Sequence, residues 1–301
     1  MDGAERAVAG RDKLAAMIAL MRPHQWIKNG LVLAALVFSQ RLFIFRYAVM
    51  AAAATLGFCA LSGVAYVIND IADRESDRRN PEKRARPLAS GRVTVREAVT
   101  LALVLGCAAG AIALWLGRGF TAVAILYVAL QFTYSMWAKG QVVIDVIAVA
   151  IGFVLRAFAG GAAIDAYVSP WLAFITFVLA LLLVLGRRRH ELVALGDGAA
   201  AHRGALAQYS VRLVDQMISI VAGATLVSYM IYTASAEVET KLGTRHLYLT
   251  VPFVAFGILR YLYLIDERNE GGDPARLLIG DKPLLISVIL WIVADLVLLY
   301  F

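Results

Sequence analysis

Four oxygen-bearing side chains, Asn69, Asp70, Asp73 and Asp77, fall in the stretch N-D-I-A-D-R-E-S-D, directly after an uncharged run from Tyr47 to Val67. Asn69, Asp73 and Asp77 repeat every four residues and Asp70 precedes Asp73 by three, so on a helix these oxygens share roughly one face. Hard cations such as Mg2+ take carboxylate and carbonyl oxygens and usually keep water and substrate phosphate besides. The spacing therefore points to a Mg2+ site for a substrate that carries a diphosphate. The competing reading is a solvated helix end whose acids pair with Arg74, Arg78 and Arg79. Acids so dense beside a bilayer are costly to keep there, which favours the metal.

Cations that suit phosphate lie close to these acids. Lys83, Arg84 and Arg86 follow within ten residues, in a loop bounded by Pro81 and Pro87, and arginine grips phosphate with a bidentate fork. Arg22 and Lys28 belong to M-R-P-H-Q-W-I-K-N, where they either meet phosphate or, with Trp26, anchor the chain at the headgroups. Arg187, Arg188 and Arg189, followed by Glu191, make a third group able to hold a phosphomonoester, although topology alone would place some positive charge there. Arg156 sits inside the apolar run I-G-F-V-L-R-A-F-A-G-G, where a lone arginine costs roughly 2.5 to 3.5 kcal/mol. It is expected to face a polar cavity or to pair with Asp145, eleven residues earlier on about the same face; a purely structural ion pair is the alternative. Tyr134, Lys139 and Tyr209 are lesser binding candidates, and Trp137 reads as a belt anchor. The residues assigned most directly to the reacting phosphates are Asp73, Asp77, Lys28 and Arg156.

The elements that must position these residues are membrane helices. With 61% hydrophobic residues and a mean hydropathy of +0.73, the 301-residue chain is too apolar for an ordinary soluble domain. It reads as an all-α integral membrane protein and a single domain over 1–301. Uncharged runs near the ~20 residues of a bilayer-crossing helix suggest nine spans: 24–45, 47–69, 98–117, 119–138, 146–164, 166–186, 216–236, 247–265 and 283–301. Of the 29 Lys and Arg residues, 23 fall on one side of this arrangement and five on the other, which places the amino terminus in the cytoplasm. Residues 1–20 are then a polar, interfacial segment, and 70–97 and 187–212 are cytoplasmic loops at the site, with 193–207 reading as a hinge or lid. The net charge of +7 describes a basic cytoplasmic face suited to anionic lipids and anionic substrates, with no need for nucleic acid. Cys59 and Cys107 lie in apolar spans as small hydrophobes, the charged loop 266–282 reads as solvated, and Asp295 has no assigned role. A homo-oligomer is compatible with the composition.

N-D-x-x-D-x-x-x-D after the second span, followed by K-R-x-R-P, resembles the intramembrane prenyltransferases of the UbiA superfamily. That resemblance implies a helical bundle around a central cavity open to the cytoplasm, in the inner membrane. It also implies a second acid motif, D-x-x-x-D, at the inner end of the sixth span, where this chain has G-R-R-R-H-E-L instead. With R-P-H-Q-W-I-K-N, Y-S-M-W-A-K and L-R-A-F-A-G-G, the departure is similar to the branch that makes decaprenylphosphoryl-5-phosphoribose. The implied reaction moves 5-phosphoribose from phosphoribosyl pyrophosphate to polyprenyl phosphate with Mg2+ as cofactor, toward arabinan precursors. Two other readings stay open: an aromatic prenyltransferase of the quinone or haem type, and a transporter for an anionic metabolite. Charge concentrated at one face, with no visible inverted repeat, counts against the transporter.

Overall fold

A chain surrounded by lipid has to satisfy its own backbone hydrogen bonds, and helices do so within each segment. The computed structural model describes residues 3–80, 83–195 and 205–301, and it contains helices and no strand among them. In chain order these are α1 (Gly3–Leu20), a 3-10 segment (Pro23–Leu33), α2 (Ala34–Phe38), α3 (Phe45–Ala72), α4 (Arg74–Arg79), α5 (Val95–Leu116) and α6 (Arg118–Met136). They continue as α7 (Ile144–Ala163), α8 (Pro170–Leu195), α9 (Val211–Thr233), α10 (Ala236–Leu242), α11 (Val251–Asp266), α12 (Pro274–Gly280) and α13 (Lys282–Tyr300).

Among the described residues, eight helices are long and apolar enough to cross a membrane: α3, α5, α6, α7, α8, α9, α11 with its preceding turn from Leu247, and α13. The expected first span, 24–45, is not one continuous helix. It is the 3-10 segment followed by the single α-turn of α2 and an irregular bend at 39–44. A 3-10 helix rises about 2.0 Å per residue against 1.5 Å for an α-helix, so the sixteen residues Pro23–Phe38 still extend about 30 Å.

Neighbouring helices pack in sequence, α3 on α5, α5 on α6, α6 on α7, α7 on α8, α8 on α9, α9 on α11 and α11 on α13. The ring closes where Tyr300 of α13 donates to the Val37 carbonyl at 3.0 Å and α12 meets the 3-10 segment. α7 is the most buried span and α5 and α6 are among the least, so α7 lies in the interior while the others present side chains to lipid. Cys107 is exposed on α5, whereas Cys59 is buried on α3.

Gly160 lets α7 and the 3-10 segment touch backbone to backbone: a Cβ there would lie 1.9 Å from the Val32 carbonyl oxygen. Gly160→Ala is therefore expected to lower the thermal midpoint in detergent, at an overpacking cost of about 1–3 kcal/mol. An unchanged midpoint would mean that the two elements do not meet there.

Polar side chains start the helices near the charged end. Thr94 and Glu97 form a reciprocal capping box on α5, Ser210 caps α9, and Asp281 caps α13 while receiving both Nε (3.1 Å) and Nη2 (2.8 Å) of Arg260. Burial is offset there, and the Arg260 guanidinium holds the Asp281 carboxyl below its ordinary range.

Candidate active site

The acid motif spans a helix break. α3 ends at Ala72, Asp73 is the cap, and α4 begins at Arg74, yet the i to i−4 ladder runs through the break. Asp73 N–H donates to the Asn69 carbonyl and Asp77 N–H to the Asp73 carbonyl, each at 2.8 Å. Asp70 and Asp77 are buried and converge on one guanidinium nitrogen: Arg86 Nη1 lies 3.3 Å from Asp70 Oδ1 and 2.7 Å from Asp77 Oδ2. Arg22 adds a 2.5 Å bond to Asp70. Its own backbone is left-handed (φ 51°, ψ 61°), a conformation that costs a non-glycine residue of order 1 kcal/mol or more, at the elbow between α1 and the 3-10 segment.

The other two members of the expected ligand set do not join this pair. Asp73 is exposed, and Asn69 accepts a 3.0 Å bond from Ser135. Among the described residues no group of three or more His, Cys, Asp or Glu side chains gathers as metal ligands. The donor chemistry nevertheless fits a hard divalent cation of the Mg2+ kind. Two buried carboxylates address a single point, now held by a guanidinium, and such ions commonly take one or two carboxylates with water and substrate phosphate. Lys83 and Arg84 are exposed beside it, and Lys139 is exposed at the end of α6.

Arg187, Arg188 and Arg189 do not form one cluster, because successive side chains on a helix point about 100° apart. Arg187 is half exposed and pairs with Glu191 at 3.1 Å. Arg188 is buried against Asp145 (2.8 Å) and Glu191 (2.5 Å), with the Tyr134 hydroxyl at 3.5 Å. Arg189 turns the other way, to Asp215 (2.7 Å), Asp266 (2.5 Å), Asn269 (3.0 Å) and the Ile265 carbonyl (2.8 Å), so it ties α8 to α9 and α11. Tyr209 completes the Arg188 group by donating to Asp145 at 2.9 Å and accepting from the Val143 N–H at 2.6 Å. Burial pushes its phenol up to about 12, which keeps it a neutral donor.

Asp145 therefore serves Arg188, and the expected pairing with Arg156 is not made. Arg156 is buried on α7 and bonds instead to Asn29 (2.8 Å), the Tyr127 hydroxyl (2.9 Å) and the Gly152 carbonyl (2.7 Å). Asn29, Tyr127, Gln25 and Asp273 had no role assigned from the sequence: Gln25 and Asn29 are neutral members of R-P-H-Q-W-I-K-N, Tyr127 lies in an apolar run and Asp273 in a charged loop. Gln25 donates to Asp273 at 3.0 Å, bringing the loop before α12 onto the 3-10 segment. That loop also packs on α8, where a Cβ at Gly271 would lie 2.5 Å from the Gly186 carbonyl oxygen. So 266–282 is partly folded against the site rather than wholly solvated. Of the expected loop 187–212, residues through Leu195 continue α8, and 196–204, including most of the proposed lid, lie outside the described residues, as do Pro81 and Glu82.

Known proteins share both sequence and fold with this arrangement. The chain is 33% identical to the decaprenyl-phosphate phosphoribosyltransferase of Mycolicibacterium smegmatis over 293 residues, covering 94% of this chain and 92% of that one. It is 33% identical over 292 residues to the protein of the same name from Corynebacterium glutamicum, covering 92% and 84% respectively. A UbiA homolog from Archaeoglobus fulgidus, solved bound to GPP and Mg2+, superposes with a TM-score of 0.70 at 19% identity over 95% of this chain and all of that one, a likeness of fold. The UbiA prenyltransferase family model matches residues 30–289, a range that holds the acid pair, Arg86, Arg156 and Arg188, and the chain belongs to that family of membrane-embedded transferases.

Proposed function

We propose that the protein transfers 5-phosphoribose from phosphoribosyl pyrophosphate to polyprenyl phosphate at the cytoplasmic face of the inner membrane, releasing pyrophosphate, as a step toward arabinan precursors. The observation that carries this reading is the pairing of a two-carboxylate point, Asp70 and Asp77, with a separate cationic group, buried Arg156 bonded to Asn29 and the half-buried Lys28 that precedes it. A donor with a diphosphate at one end and a phosphomonoester at the other matches both. The high-coverage likeness to two decaprenyl-phosphate phosphoribosyltransferases supports it. The second acid motif that prenyl diphosphate chemistry uses is replaced here by Arg188 in a buried ion-pair group.

In the transfer, an oxygen of the lipid phosphate forms the new bond to ribose C1, and the bond from C1 to pyrophosphate breaks with its electron pair on the leaving group. Mg2+, held by Asp70 and Asp77 with Asn69 and Asp73 nearby, would supply electrostatic stabilisation of the charge that builds there. Arg86 and Arg22 stand beside the same carboxylates and orient the diphosphate, with Lys83 and Arg84 exposed at the rim. A phosphomonoester with a second pKa near ~6 is already mostly dianionic at neutral pH, so no strong general base is required. The polyprenyl tail lies along the apolar spans.

Purified protein given labelled phosphoribosyl pyrophosphate and polyprenyl phosphate is expected to form a labelled lipid, and chelation of divalent cations is expected to stop it. No labelled lipid, with transfer from an isoprenyl diphosphate to a hydroxybenzoate instead, would sink this reading in favour of aromatic prenyl transfer.

A further inference from the structure

Arg156 is 5% exposed, and its guanidinium meets no carboxylate among the described residues. A guanidinium has five N–H donors, and three go to neutral acceptors, which leaves one on each terminal nitrogen. The acceptors are themselves fixed: Asn29 donates to Cys59 Sγ at 3.3 Å, and the Tyr127 hydroxyl receives Gln131 at 2.7 Å and meets Ser62 at 3.3 Å. The charge is thus held in place by neutral groups from the 3-10 segment, α3 and α6.

Lys28 precedes Asn29 and is half-buried, and its ammonium makes neither an ion pair nor a hydrogen bond to a described residue. Its ammonium is withdrawn from water, with Arg187, Arg156, Asp273 and Arg22 as its charged neighbours and Asn29, the next residue, bonded to Arg156. Asp273, the single acid in that set, is already engaged by Gln25 (3.0 Å), the Ala275 N–H (3.1 Å) and Arg276 (3.6 Å). Arg22 and Arg86, by contrast, neutralise Asp70 and Asp77. Tyr66 lies between the two regions, with Arg22 stacked 5.0 Å from its ring centroid and Arg156 and Arg187 among its charged neighbours. Cations withdrawn from water without an anion carry a desolvation cost that an incoming dianion offsets.

We propose that Lys28 and Arg156 form a receptor for a phosphomonoester dianion, distinct from the diphosphate point at Asp70, Asp77 and Arg86. The assignment rests on the phosphoribosyl-transfer reading, in which the sugar donor and the lipid acceptor each bring one phosphomonoester.

Thermal midpoints of the full-length protein in detergent, titrated with ribose 5-phosphate, farnesyl monophosphate or Mg2+ with pyrophosphate, test it. Ribose 5-phosphate is expected to raise the wild-type midpoint, and Lys28→Met to weaken its apparent Kd by about 10- to 100-fold. The response to Mg2+ with pyrophosphate is expected to persist in that variant. Arg156→Lys, which keeps the charge but loses the fork, should weaken the same response. Loss confined to farnesyl monophosphate would assign the receptor to the acceptor and leave it standing. Unchanged responses to both monophosphates in Lys28→Met, or an equal loss of the pyrophosphate response, would overturn it. A wild type that answers only to Mg2+ with pyrophosphate overturns the receptor alone, and one that answers to no probe overturns the transfer reading as well.

Discussion

Asp77→Asn is expected to lower the proposed Mg2+-dependent phosphoribosyl transfer by about 10²- to 10³-fold or more, the scale seen when one preorganised stabilising group is removed from a reacting centre. Asparagine keeps the volume and one oxygen for the 2.7 Å bond from Arg86 but removes the negative charge that would face a cation. The loss should therefore appear in turnover at saturating donor and should not be recovered by raising Mg2+. Folded protein should still elute as a single species, because Arg86 keeps Asp70 at 3.3 Å. Wild-type turnover in Asp77→Asn would place the metal elsewhere. Asp73→Asn is the informative companion. Its spacing matches that of Asp77, but its side chain is exposed at the break between α3 and α4. An equal loss there would mean that the break closes around the metal and brings the third carboxylate in.

Periodicity brought out the acid motif only in part: the backbone ladder runs through the break, but the carboxylates buried together are Asp70 and Asp77, seven residues apart, while Asp73 is exposed. Hydropathy located the eight long helices among the described residues, since a run of apolar residues in a bilayer has few other ways to satisfy its backbone. The expected first span is a 3-10 segment and a short α-turn instead of one continuous α-helix, a difference hydropathy does not register because it measures composition and not rise per residue. An eleven-residue 3-10 segment is uncommon and has no compositional signature, and only Gly160 on a distant helix reveals why the thin form fits. The triple arginine misled for a related reason: adjacency in sequence is not a shared face on a helix, and the partners of Arg188 and Arg189 lie 26 to 80 residues away, apart from Glu191. Asp145 and Arg156 do share a face, yet eleven residues of α-helix separate them by about 16 Å, too far to pair. Each found nearer partners on other helices.

Arg188→Met is expected to destabilise the protein by about 3–5 kcal/mol, the cost of leaving a buried charge without its partner. Asp145 and Arg188 are 1% and 3% exposed, so solvent does little to screen the charge left behind. The Tyr209 hydroxyl would still donate to Asp145, but a single neutral donor does not replace a guanidinium at 2.8 Å. Thermal unfolding in detergent reads the effect. Asp145→Asn should cost a similar amount, and Arg188→Met combined with Asp145→Asn should cost less than the sum of the two, because neither buried charge of that pair then remains. Arg187→Met, one position earlier and half exposed, should stay within about 0.5 kcal/mol of wild type. A phosphate-binding role for all three arginines predicts the opposite pattern, with stability intact and substrate affinity falling in each variant. Should Arg188→Met melt with the wild type while its apparent KM rises, the buried group with Asp145 and Glu191 would belong to substrate binding. The expected split, with Arg188 lowering the midpoint and Arg187 leaving it in place, makes that group the brace that fixes the start of α7 to the last turns of α8 around the site.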